Sequence, residues 1–411
     1  VGALTLSDGR LLSWSEDNTL RLWTANGIPL AELQGHTSRV VGTLALSDGR
    51  LLSWSADSTL RLWAADGVPL AELQGHMSWV TGALALSDGR LLSWSADSTL
   101  RLWTADGVPL AELQGHTSRV VGTLALSDGR LLSWSADSTL RLWAADGVPL
   151  VELRGHTSRV VGTLALSDGR LLSWSEDNTL RLWTANSVPL AELQGHTSRV
   201  VGTLALSDGR LLSWGEDSTL RLWAADGVPL VELQGHKNGV TGALALSDGR
   251  LLSWSEDSTL RLWTADGVPL AELRGHMSWV TGALALSDGR LLSWSGDSTL
   301  RLWAADGVPL AMLSQPKWGD RGVIAQWANI QGVDPIEIFA DDPSNSADAG
   351  IGRENDACLV LYDKHSGQIL SRFYADASVT APVFLSDGVT LAAGDERGRV
   401  LFLHWRGTAP S

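Results

Sequence analysis

The sequence predicts an all-β molecule: a β-propeller of four-stranded antiparallel blades, about ten blade units in all, eight near-identical and two degenerate. Two observations carry this. A forty-residue unit, GHTSRVVGTLALSDGRLLSWSADSTLRLWAADGVPLAELQ at 35–74, returns almost unchanged at 75, 115, 155, 195, 235 and 275, and residues 1–34 repeat it without its start. Inside the unit lie four short strand-forming runs and no segment long enough for a helix. The period alone would fit helical solenoids equally well. The internal pattern decides, because small sheets stacked around a hub bury both faces against their neighbours and leave only short edges.

The first run, Val40 to Ser47, ends in Ser47-Asp48-Gly49, and the second, Arg50 to Ser55, ends in Asp57-Ser58. The third, Thr59 to Trp63, is closed by Asp66-Gly67-Val68-Pro69, and Leu70 to Gln74 completes the unit. Asp, Gly, Ser and Pro at those joints are turn formers, each by its own backbone chemistry. The eight copies fill 1–314, where composition changes: Trp is the only aromatic before that point, and all four Phe and both Tyr follow it. Residues 315–411 read as two degenerate blades with an inserted polar loop at about 340–356. There 357–373 echoes the third and fourth strands and 379–405 the first three. Asp341, Asp342, Asp348 and Asp356 in that loop match no calcium-loop spacing, and a solvated acidic loop is expected.

The last unit stops at its third strand, so closure by strand exchange would need residues preceding Val1. Val1 begins mid-repeat, which suggests a fragment lacking an upstream segment. Ten units leave open one large ring, an unclosed ring or pieces of two.

The unit resembles the WD-repeat family, with Gly35-His36 at the start, Ser53 in the second strand, Asp57 in the next turn and Trp63 ending the third strand. The resemblance covers about three-quarters of the chain. It implies that His36, Ser53, Asp57 and Trp63, and likewise His76, Ser93, Asp97 and Trp103, form a side-chain hydrogen-bond network tying the incoming loop to the second and third strands. Buried polar groups of this kind are tolerable only when they satisfy one another. Ser55 lies on the same strand face as Ser53 and fits the serine role too. Two departures stand out: Ala64 or Thr24 replaces the Asp that usually follows the third-strand Trp, and Trp54 replaces a small residue between the serines. Trp54 and its equivalents are expected to pack between blades, each contributing roughly 1.5 to 3 kcal/mol, with no need for an aromatic ligand cage.

Position 24 alternates Thr and Ala from copy to copy, as expected of growth by pairs of blades, so change is more informative here than constancy. Change gathers after the Gly-His pair: Arg39, Arg119, Arg159 and Arg199 in some copies, Met77 with Trp79, Lys237 with Gly239, and Met277 with Trp279 in others. It gathers also before the turn Asp, where Glu16, Glu176, Glu216 and Glu256 contrast with Ala56, Ala96, Ala136 and Gly296. In a propeller both places open on one side of the ring. Trp and Arg are interface-dominating residues, so this face is expected to bind a protein or peptide. Copies two to four carry Arg or Trp without Glu, which points to a partner with an acidic patch. The opposite-face Asp48-Gly49-Arg50 stays constant, which argues against drift.

Other classes fare worse. Near-identical blades give rings of like groups, whereas catalysis needs unlike groups converging, so no enzyme and no cofactor is expected. An enzyme with a cofactor on the axis would need its site in 315–411, where Asp363, His365 and His404 show no site spacing. A rival of related kind is a sensory or ligand-recognition module at the C-terminal end of a larger bacterial signalling protein, a kinase or nucleotide-dependent switch. The net charge of -15, spread through every repeat, disfavours nucleic acid. No apolar run is long enough to span a bilayer, and the single Cys358 excludes an internal disulfide and, with no zinc spacing, leaves no metal site expected. Much Leu, Ala and Arg with only three Lys suggests a GC-rich bacterial source, and a cytoplasmic location is expected.

Overall fold

The computed structural model describes residues 2–314, apart from 7, 25–27 and 287, together with the backbone of six strands between 349 and 404. Residues 2–314 form eight four-stranded antiparallel sheets whose strands pair in chain order. We number them blade 1 (2–33), blade 2 (40–73), blade 3 (80–113), blade 4 (120–153), blade 5 (160–193), blade 6 (200–233), blade 7 (240–273) and blade 8 (280–314). There is no helix among the described residues, and so none long and apolar enough to cross a membrane.

In blade 2 the strands are Val40–Ala45, Leu51–Ser55, Leu60–Trp63 and Pro69–Leu73, within two residues of the expected runs. The second strand is covered on both faces: Leu51, Leu52, Ser53 and Ser55 are all buried. Pro69 opens the outermost strand, where its missing N–H interrupts no ladder. The first pair contains a bulge, since Val40 faces Ser55 and Gly42 faces Trp54, leaving Val41 as the extra residue. Gly42 is required there by space, because a Cβ would lie 2.4 Å from Trp54 Cζ2.

The core is a series of seams. One joins Leu92, Leu100, Leu102 and Leu113 of blade 3 to Val120, Leu131 and Trp143 of blade 4, and equivalent clusters link the other successive blades from 1 to 8. The third-strand indoles, Trp63 to Trp303, are the largest fully buried side chains. The expectation for Trp54 needs adjusting accordingly: it reaches the seam only half-buried, with its ring laid over Gly42, and Trp63 is the principal filler.

Arginine side chains add polar ties across these seams. Arg50 of blade 2 is held by Asp48 (Nε to Oδ2, 2.7 Å) and donates to the Ala105 carbonyl of blade 3 at 2.8 Å. Arg130 reaches Ala185 in the same way at 2.9 Å.

Beyond residue 314 two three-stranded antiparallel sheets are described, one of Ala349–Asn355, Cys358–Asp363 and Ile369–Tyr374, the other of Val379–Phe384, Thr390–Asp395 and Val400–His404. The first strand shortens the polar loop expected at about 340–356: Ile351 and Arg353 pair with Leu361 and Leu359, so the end of that stretch belongs to a ladder. Asp341, Asp342, Asp348, Asp356 and His365 lie outside the described residues.

Candidate functional site

Two sets of residues converge on one side of the blades. The first is the polar network at the root of each incoming loop. In blade 2, His36 Nδ1 lies 2.9 Å from Asp57 Oδ2 and its Nε2 lies 2.8 Å from Ser53 Oγ. Trp63 Nε1 donates to the same Ser53 oxygen at 2.9 Å. A carboxylate only accepts, so the imidazole carries its proton on Nδ1, and the Ser53 hydroxyl donates to Nε2. The connectivity repeats in blade 3 through His76, Asp97, Ser93 and Trp103. Of the two candidate serines, Ser53 is the one in the network; Ser55 instead donates to the Ser38 carbonyl and accepts from the Asp57 N–H.

Asp57 also accepts from the backbone N–H groups of Thr37 and Thr59 and from the Thr59 hydroxyl. Burial alone would raise its pKa. The hydrogen bonds from His36, Thr59 and the two backbone groups outweigh burial and hold the carboxyl well below the ordinary aspartate value. Ser, His and Asp are joined here in the order of a hydrolase triad, yet Ser53 is fully buried and its oxygen is already engaged by the indole. The arrangement is suited to fixing the loop on the sheet.

The second set is the variable side chains that this root presents outward. A backbone hydrogen bond joins the two variable places within a blade: Ala56 N–H to Arg39 O at 3.1 Å, Glu176 N–H to Arg159 O at 3.0 Å and Glu256 N–H to Gly239 O at 3.0 Å. The two places therefore form one continuous face. Met77, Trp79, Met277 and Trp279 are all exposed on it. Arg119 and Lys237 are exposed as well, whereas Arg159 and Arg199 are only half-exposed.

Charges on this face pair both within and between blades. Arg159 lies 3.6 Å from Glu176, while Arg199 lies 3.9 Å from Glu176 and 3.5 Å from Glu216. Arg39 lies 3.9 Å from Glu16 of blade 1 and 5.2 Å from the centre of the Trp79 ring of blade 3. The sequence had marked these residues singly. It gave no sign of the Glu16–Arg39–Trp79 succession or of Thr59 joining the Asp57 network, because both depend on which side chains the fold brings together. Among the described residues no group of His, Cys, Asp and Glu could hold a metal ion.

Seven stretches, 27–64, 67–104, 107–144, 147–184, 187–224, 227–264 and 267–304, match the family model described as the WD domain, G-beta repeat. The chain belongs to the WD-repeat family. Among solved structures, the WD-repeat chain is similar to the computationally designed Ika8 protein, at 28% identity and a TM-score of 0.56, over 74% of this chain and 96% of that one. The WD40 β-propeller domain of Doa1 is 25% identical over 66% of this chain and 95% of that one, with a TM-score of 0.43. Comparison with curated protein sequences gave no match. WD-repeat propellers are generally interaction scaffolds and not catalysts.

Proposed function

We propose that this WD-repeat chain binds a protein or peptide partner on the face built by the incoming loops and the second-to-third-strand turns. The observation that carries the reading is the pair of exposed Met-Trp sets, Met77 with Trp79 on blade 3 and Met277 with Trp279 on blade 8. Most other copies place Thr and Arg there. Trp and Arg are the residues on which binding energy concentrates at interfaces. Exposed Arg39 and Arg119 stand on the blades either side of Trp79, and blades 2 to 4 lack the turn Glu, so an acidic patch on the partner suits this arc. Arg159 and Arg199 are already engaged by Glu176 and Glu216, which makes blades 5 and 6 a more neutral stretch of the face.

The test is quantitative capture of the partner by wild type and by the Trp79→Ala and Trp279→Ala variants. Loss of a dominant contact should weaken capture about tenfold or more. The thermal midpoint should move by no more than about 2 °C, as for other surface substitutions. Capture that is unchanged, or that falls only in step with the midpoint, would remove the docking role from this face.

A further inference from the structure

Position 239 breaks a pattern that the chain itself supplies. On blades 1 to 3 the face carries Glu16, Arg39 and Trp79 in succession, with the guanidinium 3.9 Å from the carboxylate and 5.2 Å from the ring centre. Five blades further on, the equivalent places hold Glu216, Gly239 and Trp279. The acid and the ring are kept and the guanidinium is gone.

Space and charge at that point favour the missing group. A Cβ on Gly239 would meet Glu216 Cα at 3.4 Å and Glu256 Cδ at 3.8 Å, which is ordinary contact. The gap is therefore open to a side chain and is flanked by a second carboxylate, since blade 7 has Glu256 where blade 2 has Ala56. Glu216 shares its charge with Arg199 at 3.5 Å. Glu256 has no hydrogen bond or ion pair through its carboxylate among the described residues. Trp279 is 59% exposed. Lys237 stands nearby and is exposed, but an ammonium is a hydrated point charge without the planar face that stacks on indole.

We propose that this gap is a guanidinium subsite: it takes an arginine side chain of the bound partner, between Glu216 and Glu256 and over the Trp279 ring. Guanidinium is the group for which carboxylate pairing and stacking on Trp combine. The proposal rests on the reading of this face as a docking surface and adds a polarity to it. A partner would present its acidic patch to blades 2 to 4 and an arginine to blade 7, which fixes its orientation.

The experiment needs no partner. The chain is labelled with 5-fluorotryptophan, the Trp279 resonance is assigned by its loss in Trp279→Phe, and acetyl-Gly-Arg-Gly-amide is titrated in. Its citrulline isostere, of the same shape without the charge, serves as the control. The arginine peptide should move the Trp279 resonance saturably, with a Kd on the order of millimolar, as expected for one exposed ion pair with stacking. The citrulline peptide should not, and the Trp79 resonance, whose ring already carries Arg39, should stay in place. Gly239→Arg should fill the subsite from within and abolish the shift, and Glu256→Gln should weaken binding about threefold. A Trp279 resonance that stays still, one that moves equally with citrulline, or full binding by both Gly239→Arg and Glu256→Gln would overturn the subsite. Partner capture left undiminished by Gly239→Arg while this signal is lost would instead count against the docking face.

Discussion

At the scale of single residues, blade 6 offers a comparison that the chain makes with itself. In blade 2 the Ser55 hydroxyl donates to the Ser38 carbonyl at 2.9 Å and accepts from the Asp57 N–H at 3.0 Å, pinning the incoming loop to the turn. Blade 6 has Gly215 at that place, so both hydrogen bonds are missing and the strand carries the entropy cost of a glycine. A Cβ at 215 would lie 3.0 Å from the Arg199 carbonyl and 3.0 Å from His196 Nδ1, a tight fit that needs a shift of a few tenths of an ångström. The other blades hold a serine in the same frame, so the fit is attainable. Gly215→Ser should therefore stabilise the protein by about 1 kcal/mol, read as a higher urea midpoint. A lower midpoint would mean that the loop carrying Arg199 has settled into the space the serine leaves.

At the scale of strands and turns, what could be read in advance was what neighbouring residues decide. Asp48-Gly49 and Pro69 mark their turns by local chemistry, and the strand limits came within two residues. What could not be read joins separate blades. Arg50 finds its acceptor, Ala105, 55 residues away, and no spacing within one repeat reveals that tie. The fold also changes the meaning of the constant Asp48-Gly49-Arg50 turn: its constancy has a structural cause of its own, so it says little about drift on the opposite face. The end of the expected loop is a strand for a related reason, since 349–355 becomes one only through pairing with Cys358–Asp363. A tie of this kind has a measurable worth. Arg50→Ala should destabilise by about 1 kcal/mol, the net value of a partly exposed hydrogen-bonded contact, and Arg50→Lys should recover only part of the loss because an ammonium lacks the fork that holds Asp48 and the next blade together. Equal stability of wild type and Arg50→Ala in a denaturant titration would reduce the tie to surface decoration.

At the scale of the whole molecule, seams and networks repeat from blade to blade, so a condition that weakens one copy weakens all of them together. Acid is such a condition. Asp57, Asp97, Asp137, Asp177, Asp217, Asp257 and Asp297 each lie below the ordinary aspartate pKa, because burial, which would raise them, is outweighed by hydrogen bonds from histidine, threonine and backbone N–H groups. Between the depressed values and the ordinary value of about 4, the unfolded chain binds more protons than the folded one, so stability rises with pH across that window. The contribution is complete above about pH 4 and is lost as pH falls through the folded values, each group adding up to about 1.4 kcal/mol per pH unit. His276 acts in the same direction at higher pH: burial, opposed by Asp297, pulls its pKa down, so its share begins to fade below about pH 6.5. Acid unfolding should accordingly steepen sharply below pH 4 and take up several protons in one cooperative step. A joint measurement of circular dichroism and proton uptake would show it, and Asp97→Asn together with Asp137→Asn should reduce both the uptake and the steepness. Uptake that did not exceed that of a chain with ordinary aspartates, or that was unaffected by the double substitution, would mean that these carboxylates do not hold the blades at low pH.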